Sequence, residues 1–365
     1  MKILILADSS NTHTKRWVQA LSKSGHNICL FSLTNGNDND YYNISNIRLV
    51  ASNINIGNTI SSKIRYLGTL RKLNRIIKEF KPDILHAHYA SSYGLLGALS
   101  RHQCPYIISV WGSDVYEFPN ITPFGKYILK YNLSKADYIL STSHVMAEET
   151  RKYTSKPISI TPFGVDTNLF NNIDGLDRNN TFIIGTVKAL YPIYGIDTLI
   201  KAASLVIKRN PDKNILLDIY GKGPGRDEYE ELTNTLGIKD KTTFHGYVNN
   251  NDLPKVYNNF SVSVSLSNSE SFGVVAVEAM SCECPVITSD ADGFKEVVAD
   301  GVTGLIVPKS NPEAAAIAIQ KFIDNPGLRM KMGKSGRERV IQLYDWNSCV
   351  DKMNHIYDAI KNNHA

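Results

Sequence analysis

Ser-Asn-Ser-Glu-Ser-Phe-Gly-Val-Val-Ala-Val-Glu-Ala-Met, residues 267–280, is the stretch that decides the fold of this chain. Apolar residues occupy every second position of the preceding segment 260–266, which is the periodicity of a β-strand. A compact apolar run follows Gly273 and predicts a short buried helix. The stretch therefore predicts a strand, a polar turn and a helix, with Glu270 near the helix entrance and Glu278 inside the helix.

The turn before this helix has the properties of an anion-binding site. The amides of residues 272–275 lack partners inside the helix, and a helix N-terminus presents partial positive charge, so we expect a diphosphate there. Eight helical residues span about 12 Å, comparable with the reach of a nucleotide sugar from ribose to hexose. Glu278 lies in an apolar run, where a carboxylate needs a bound partner. The alternative is that one glutamate caps the helix and the other is an ordinary solvated charge.

The size and composition of the chain limit the classes of protein to which it can belong. A length of 365 residues predicts two domains. The sequence has no apolar run of the 18 or so residues that a membrane span needs, and Met1–Ala7 is expected to be a buried strand. The five cysteines are scattered without metal-ligand spacing, which is typical of a reducing cytoplasm. We therefore expect a cytoplasmic protein without a metal site or a cofactor.

Positive charge is concentrated in the first half of the chain. Residues 1–165 contain 19 Lys and Arg against 10 Asp and Glu, whereas the whole chain has a net charge of +5. The excess lies mainly in Lys63–Lys81, where apolar residues recur with helical periodicity. This segment is either an ordinary solvated helix face or a surface that approaches anionic lipid headgroups, where each basic residue contributes about 1 kcal/mol. No nucleic-acid-binding motif accompanies it, and we expect no nucleic-acid partner.

Apolar strands alternate with helical patterns in both halves, which predicts two parallel sheets covered by helices on both faces. The predicted strands of the first half are 3–7, 28–33, 84–86, 106–110 and 138–140. Those of the second half are 182–186, 215–220, 243–245, 262–266, 286–288 and 305–307. The pattern breaks after Thr161–Asn168, where a polar stretch begins. We predict an α/β protein of two doubly wound, Rossmann-like domains facing each other across a cleft. Residues 1–168 and a C-terminal helix over 346–365 form the first domain, and residues 169–345 form the second.

Doubly wound sheets bind ligands beyond the carboxyl ends of their strands. Five polar loops follow predicted strands, at residues 9–13, 111–114, 185–188, 221–225 and 269–273. Lys188 is the cation expected beside the diphosphate, where an ammonium group would stabilise a leaving phosphate. His86 and His88 share one face of a strand end, and we expect His88 to line the acceptor side. The glycines of 221–225 lack the full spacing of a dinucleotide-binding loop.

The segment Glu270–Glu278 resembles the Glu-x7-Glu motif of the retaining glycosyltransferases of family 4, which have the two-domain GT-B fold. The similarity extends to 161–166, 244–247, 284–287, 293–296 and 300–304. The opening loop and Trp111–Asp114 are most similar to bacterial enzymes that build surface polysaccharides on lipid carriers. The resemblance therefore implies a nucleotide-diphosphate sugar donor and a lipid-linked saccharide acceptor.

The resemblance also implies roles for individual residues. Glu278 would bind the ribose hydroxyls, Glu270 would contact the transferred sugar, and Lys188 would contact the diphosphate. The predicted catalytic residues are Glu270, Lys188 and Asp114, the last orienting the acceptor or the sugar. The predicted donor-binding residues are Glu278, Ser271, Phe272, Gly273, Val274, Val275, Gly246 and Tyr247. The predicted acceptor-side residues are Ser10, Asn11, His88 and Trp111.

The chain departs from the family pattern at two positions. A second basic residue usually precedes the glycine equivalent to Gly195, where this chain offers Ile193 or Tyr194. Many relatives have a histidine at the position of Trp111, although Trp-Gly-Ser-Asp also occurs among bacterial members.

The predicted function is that of a retaining, metal-independent hexosyltransferase, which uses a uridine-linked donor in the cytoplasm or at the inner face of the cell membrane. Three alternatives stay open. The chain could be a non-catalytic partner subunit that binds sugar nucleotides, a nucleotide-sugar epimerase or a nicotinamide oxidoreductase.

Overall fold

Two all-parallel sheets organise the chain, one in each of two compact units. The first unit contains residues 1–163 and 347–365, and the second contains residues 164–346. The computed structural model describes residues 1–34, 41, 44–54, 65–173 and 181–364.

The sheet of the first unit has seven strands in the order β3-β2-β1-β4-β5-β6-β7. The strands are β1 (Lys2–Leu6), β2 (Asn27–Ser32), β3 (Ile47–Ala51), β4 (Ile84–His88), β5 (Tyr106–Val110), β6 (Tyr138–Ser141) and β7 (Ile158–Ile160). The two edge strands, β3 and β7, were not predicted. They are half-exposed and mix polar with apolar residues, so neither shows the apolar run of a central strand.

The sheet of the second unit has six strands in the order β10-β9-β8-β11-β12-β13. They are β8 (Phe182–Val187), β9 (Ile215–Tyr220), β10 (Thr242–Gly246), β11 (Val262–Ser265), β12 (Val286–Ser289) and β13 (Gly304–Val307). All six were predicted, and two doubly wound, Rossmann-like sheets confirm the predicted fold class. In each sheet the strand order reverses beside the first strand, between β1 and β4 and between β8 and β11. A doubly wound sheet binds its ligand at this switch point.

Helices connect the strands in both units. Those of the first unit are Thr12–Lys23, Leu70–Phe80, Ser92–Leu99, Ser113–Tyr116, Phe118–Ile121, Gly125–Lys135, His144–Arg151 and Trp346–His364. Those of the second unit are Ile196–Arg209, Arg226–Thr235, Leu253–Asn259, Val274–Ser281, Asp292–Val297, Pro312–Asp324 and Pro326–Tyr344. Short 3-10 turns cover Arg65–Thr69, Pro192–Tyr194 and Lys239–Lys241.

Three helices of the first unit cover the same face of its sheet. Alternate side chains of a strand point to one face, and the set that includes Leu85 of β4 and Ile108 of β5 forms one buried cluster. The same cluster contains Leu73, Leu96 and Leu129, one from each of the helices Leu70–Phe80, Ser92–Leu99 and Gly125–Lys135. These helices connect β3 to β4, β4 to β5 and β5 to β6, and each connection moves in the same direction across the sheet. Because such crossovers are right-handed, the three helices lie on the same face.

The C-terminal helix, all but its first residue, belongs to the first unit. The Tyr357 hydroxyl lies 2.7 Å from Nδ1 of His86 in β4, and Nε2 of His26 lies 3.0 Å from the Asn354 side-chain oxygen. Because His86 is completely buried, this helix closes the core on its side of the sheet.

Candidate active site

Lys188 and Glu270 form an ion pair at the switch point of the second sheet. Lys188 follows β8, and Glu270 lies in the loop after the neighbouring strand β11. Lys188 Nζ lies 2.6 Å from Glu270 Oε2, and each side chain is only 13% exposed. The ammonium also lies 4.6 Å from the centroid of the Tyr194 ring, within cation–π range. The sequence placed both charged residues in this region, but their direct pairing was not predicted.

Backbone contacts hold the Glu270 loop in place. The amide of Gly293 donates to the Glu270 carbonyl oxygen at 2.9 Å, and the amide of Asn268 donates to the Ile193 carbonyl oxygen at 2.8 Å. A Cβ atom at Gly293 would lie 2.5 Å from the Phe272 nitrogen, so only glycine permits this close approach. The carboxylate of Glu270 is therefore presented from a loop whose main chain is fixed on two sides.

The N-terminus of helix Val274–Ser281 opens beside this pair. Gly273 precedes it with a φ of 97°, and no side chain caps the helix. The first backbone bond into the helix runs from the Ala276 amide to the Gly273 carbonyl oxygen at 3.0 Å. Within the described part of the chain, no protein acceptor binds the amides of Val274 and Val275. These two donors and the helix dipole favour an anion at this end.

One of the predicted donor-binding side chains, that of Phe272, packs in the protein interior. Phe272 is 1% exposed, and its ring packs edge-on against Tyr344 at 5.5 Å between centroids. Ser271 and Phe272 both interact within the protein. Since Phe272 is almost completely buried, its ring is not available to a ligand.

Glu278 is buried and has a protein partner. Its side chain is 6% exposed, and the Tyr257 hydroxyl donates to its Oε2 atom at 2.8 Å. Burial and, secondarily, the charge of Glu278 raise the pKa of Tyr257 well above its usual range. Tyr257 lies in another helix, 21 residues earlier, and no sequence signal linked the two residues. The predicted contact with ribose stays a prediction, with one carboxylate oxygen already bonded inside the protein.

Gly246 and Tyr247, two of the predicted donor-binding residues, lie at the end of β10. Gly246 has a φ of 78°, and a Cβ atom there would meet nothing within 4 Å. The Tyr247 ring is 66% exposed, and Lys222 Nζ lies 5.9 Å from its centroid. The Gly221 amide donates to the Gly246 carbonyl oxygen at 2.7 Å, which links this segment to the loop after β9. This edge therefore presents an aromatic surface with open space beside it.

In the first unit, Asp114 is enclosed by backbone donors. Its side chain is 1% exposed, and its oxygens accept from the amides of Ala90 at 2.7 Å, Gly112 at 2.8 Å and Trp111 at 3.1 Å. Burial raises the pKa of Asp114, and the bonds from these amides partly oppose that shift. The carboxylate thus shapes the loop that includes Trp111. Its predicted influence on acceptor or sugar, which stays untested, would have to pass through this loop.

An aromatic cluster occupies the carboxyl end of the first sheet. The Trp111 ring centroid lies 4.5 Å from His88 and 5.3 Å from Phe163, and His13 stacks on Phe163 at 4.0 Å. His88 is 2% exposed, and its Nδ1 atom has no hydrogen-bond partner within the described residues. Tyr89, directly after β4, has a φ of 78°, which is unusual for a bulky residue and often accompanies a functional site.

The other two predicted acceptor-side residues are engaged locally. The Ser10 hydroxyl donates to Asp8 Oδ1 at 2.7 Å. The Asn11 side chain caps helix Thr12–Lys23 by accepting from the His13 amide at 2.8 Å. Both residues lie in the loop after β1, at the switch point, but their present partners are structural.

The described residues contain no group of three or more His, Cys, Asp or Glu side chains that could hold a metal ion. In the same ranges, no helix has the length and hydropathy of a membrane span.

Comparison with known proteins identifies the family to which this chain belongs. The family model for glycosyl transferases group 1 matches residues 171–339, and the glycosyl transferase 4-like model matches residues 2–143. The uncharacterized glycosyltransferase MJ1178 of Methanocaldococcus jannaschii is 30% identical over 300 residues, which cover 81% of each chain. The chain belongs to the GT4-like glycosyltransferases.

Two solved structures resemble this glycosyltransferase over nearly its whole length. Sucrose-phosphate synthase from Thermosynechococcus elongatus superposes with a TM-score of 0.85 at 24% identity, covering 99% of both chains. HepE from Anabaena, in complex with UDP, superposes with a TM-score of 0.84 at 17% identity, covering 98% of this chain and all of that one. At such identities the likeness shows the fold alone, and it confirms the predicted GT-B architecture.

Three histidines of the glycosyltransferase make its stability sensitive to acid. Burial, with a smaller contribution from Arg16, lowers the pKa of His13 to about 4, and burial lowers that of His86 to about 3. Burial and His86 hold the pKa of His88 well below its usual value. As the pH falls, these histidines take up protons in the unfolded chain before they do so in the folded one. Their contribution to the free energy of unfolding is therefore fully present above about pH 6.5 and is lost as the pH drops toward 4. Each histidine changes that free energy by up to about 1.4 kcal/mol per pH unit.

Urea titrations at several pH values measure this slope. His86→Phe should reduce the slope of the free energy of unfolding against pH by the contribution of one histidine. The variant should also be less stable at neutral pH, because the hydroxyls of Tyr357 and Ser109 lose their hydrogen-bond partner. An identical slope in the wild type and the variant would contradict the prediction.

Proposed function

We propose that this glycosyltransferase moves a hexose from a uridine diphosphate sugar to a hydroxyl group of a lipid-linked saccharide, with retention of configuration. The Lys188–Glu270 pair beside the uncapped helix Val274–Ser281 is the observation that supports the proposal most directly. A UDP complex of the structural neighbour HepE supports a uridine-linked donor.

Three groups of the second unit stabilise the negative charge of the donor diphosphate. The ammonium of Lys188 exchanges its carboxylate partner for a phosphate oxygen, and the amides of Val274 and Val275 donate to the same diphosphate. Because these groups balance the developing charge, the reaction needs no divalent metal. Glu270, released from Lys188, accepts hydrogen bonds from hydroxyls of the hexose. Glu278, whose Oε2 atom accepts from the Tyr257 hydroxyl, binds the ribose hydroxyls of the donor.

The transfer step exchanges one bond at the anomeric carbon. The acceptor oxygen bonds to that carbon on the face from which the phosphate oxygen leaves, which retains the configuration. The leaving phosphate oxygen takes the proton of the acceptor hydroxyl. Asp114 contributes as a positioning residue, by holding the loop that includes Trp111 on the acceptor side.

The first unit is proposed to bind the lipid-linked acceptor near an anionic membrane. Lys63 and Ile64, the first residues of the predicted basic segment, lie outside the described residues. In the remainder, helix Leu70–Phe80 buries Leu73, Ile76 and Ile77 and exposes Arg71, Lys72, Arg75 and Lys78. This exposed basic face supports peripheral attachment at the inner side of the membrane. The resemblance of Trp111–Asp114 to bacterial enzymes that build surface polysaccharides supports that role for the product.

A thermal-shift panel of nucleoside-diphosphate sugars tests the donor site. At a concentration of about 100 Kd, the cognate donor should stabilise the protein by about 2.7 kcal/mol, whereas other sugars at the same concentration should have smaller effects. Glu278→Gln should lose most of this shift. The matched control Glu231→Gln, on an exposed helical position, should retain it.

Three outcomes would contradict the proposal. Stabilisation by nicotinamide dinucleotides alone would favour an oxidoreductase. Conversion of the donor without an acceptor would favour an epimerase. Donor binding without transfer would favour a non-catalytic partner subunit, which the absence of a basic residue from segment 189–195 also motivates.

A further inference from the structure

A carboxylate and an aromatic ring both hold the ammonium of Lys188. The ammonium lies 2.6 Å from Glu270 Oε2 and 4.6 Å from the centroid of the Tyr194 ring. The Lys188 side chain is 13% exposed, so water reaches little of it. A largely buried cation is unfavourable unless other groups hold it. The carboxylate and the ring therefore share the stabilisation of one lysine.

The turn that carries the Tyr194 ring is fixed to the end of β11. Tyr194 is the last residue of a 3-10 turn. Gly195 follows with a φ of 63°, and a Cβ atom there would overlap the carbonyl oxygen of Leu266. The Asn268 amide donates to the Ile193 carbonyl oxygen at 2.8 Å. The ring and the carboxylate are therefore both presented from main-chain segments that are joined to each other.

The ring attracts the ammonium in a different way from the carboxylate. Glu270 neutralises the charge of Lys188, so the ion pair as a whole offers an anion little attraction. The face of an aromatic ring attracts a cation through its quadrupole and carries no net charge. Lys188 held by Tyr194 therefore keeps its full positive charge for another ligand.

We propose that Tyr194 is a positioning residue, which keeps the Lys188 ammonium in place when the donor diphosphate displaces Glu270. The inference rests on the proposed function, in which Lys188 exchanges its carboxylate partner for a phosphate oxygen. A free lysine side chain has many rotamers, and fixing it at the diphosphate costs conformational entropy. Because the ring already restricts the ammonium, less of that entropy is lost when the donor binds.

Calorimetric titration with UDP tests this role. Tyr194→Leu removes the ring and should raise the dissociation constant for UDP by about 3–10-fold, the range of a partly desolvated cation–π contact. Tyr194→Phe keeps the ring without its hydroxyl and should bind UDP within about two-fold of the wild type. Affinity that phenylalanine retains and leucine loses assigns the effect to the aromatic face.

The Lys188→Met background shows whether the ring acts through the ammonium. In that background Tyr194→Leu should hardly change the dissociation constant for UDP, because the cation is already absent. An effect of the ring on the structure of the turn would instead weaken UDP binding equally in both backgrounds. Tyr191→Leu is the matched control. It alters a ring of the same loop that is 48% exposed and lies 6.5 Å from the Tyr194 ring between centroids, and it should bind UDP as the wild type does.

The outcomes separate this inference from the proposed function. Equal UDP affinity of the wild type and Tyr194→Leu would overturn the role of Tyr194 and leave the donor site intact. The same loss of affinity in the wild-type and Lys188→Met backgrounds would also overturn it. If the wild-type protein did not bind UDP, the proposed donor and the role of Tyr194 would both be wrong. Melting temperatures without ligand are recorded for every variant, so that unfolding is not mistaken for a loss of affinity.

Discussion

Replacing Glu270 with alanine is expected to lower the rate of sugar transfer by about 10²–10³-fold, the range typical of losing one preorganised polar group from an active site. The substitution removes the proposed hexose contact and also deprives Lys188 of the carboxylate that lies 2.6 Å away. The measurement is the initial rate of transfer from the cognate donor at saturating acceptor, with the melting temperature recorded in parallel. We expect the protein to stay folded, because the pair is partly hydrated and the loop is held by its main chain.

Two companion variants show whether the pair acts as a unit. Lys188→Met should reduce transfer by a similar factor, and the double variant should be little worse than the more damaging single one, because coupled residues are not additive. Glu313→Gln, on a separate helix of the second unit, is the control and should transfer sugar at the wild-type rate. An unchanged rate in Glu270→Ala would remove this residue from the mechanism.

The second large effect is expected from Gly221→Ala, which alters no charged group. Gly221 has a φ of 142°, and a Cβ atom there would overlap the carbonyl oxygen of Lys188. A backbone oxygen cannot rotate away as a side chain can, so the loop after β8 must shift or the strand pairing must break. We expect a loss of about 3 kcal/mol or more, which corresponds to a fall of roughly 6–12 °C in melting temperature.

Gly237→Ala separates the overlap from backbone strain. Gly237 also has a positive φ, of 70°, but no atom lies within 4 Å of the position of its Cβ. Its substitution should therefore show only the strain of a left-handed residue, about 1–2 kcal/mol. Both variants are compared by thermal and urea unfolding, and the Gly221 variant also by donor binding. Equal losses of stability in the two variants would mean that overlap with the Lys188 carbonyl oxygen adds nothing to the cost of backbone strain.

The second unit was largely predictable because its strands are continuous apolar runs and its loops are polar. All six strands and the helix that begins at Val274 follow from that pattern. The site could be predicted only as a set of loops that reach the same end of a sheet. Partners that are distant in sequence have no local signal, as with Lys188 and Glu270, which are 82 positions apart. Tyr257 was missed for the same reason, since nothing near it in sequence points to Glu278.

The first unit was less predictable at its edges and at its loops. β3 and β7 lack the apolar run of central strands. Asp114 has the residue type and position of a site residue, yet its oxygens accept from backbone amides that the sequence cannot place. The exposed tyrosines of helix Gly125–Lys135, Tyr127 and Tyr131, were also overlooked, because helical periodicity alone does not show which apolar face is buried.

The return of the last helix to the first unit governs the order in which the protein can mature on the ribosome. Residues 347–364 leave the exit tunnel after residues 1–346, and they contribute the Tyr357 hydroxyl, which lies 2.7 Å from the buried ring of His86. The second unit is continuous along the chain, so all its residues emerge earlier. The first unit can therefore be completed only after the second unit has been synthesised, and a nascent chain stalled before helix Trp346–His364 lacks the layer that shields β4.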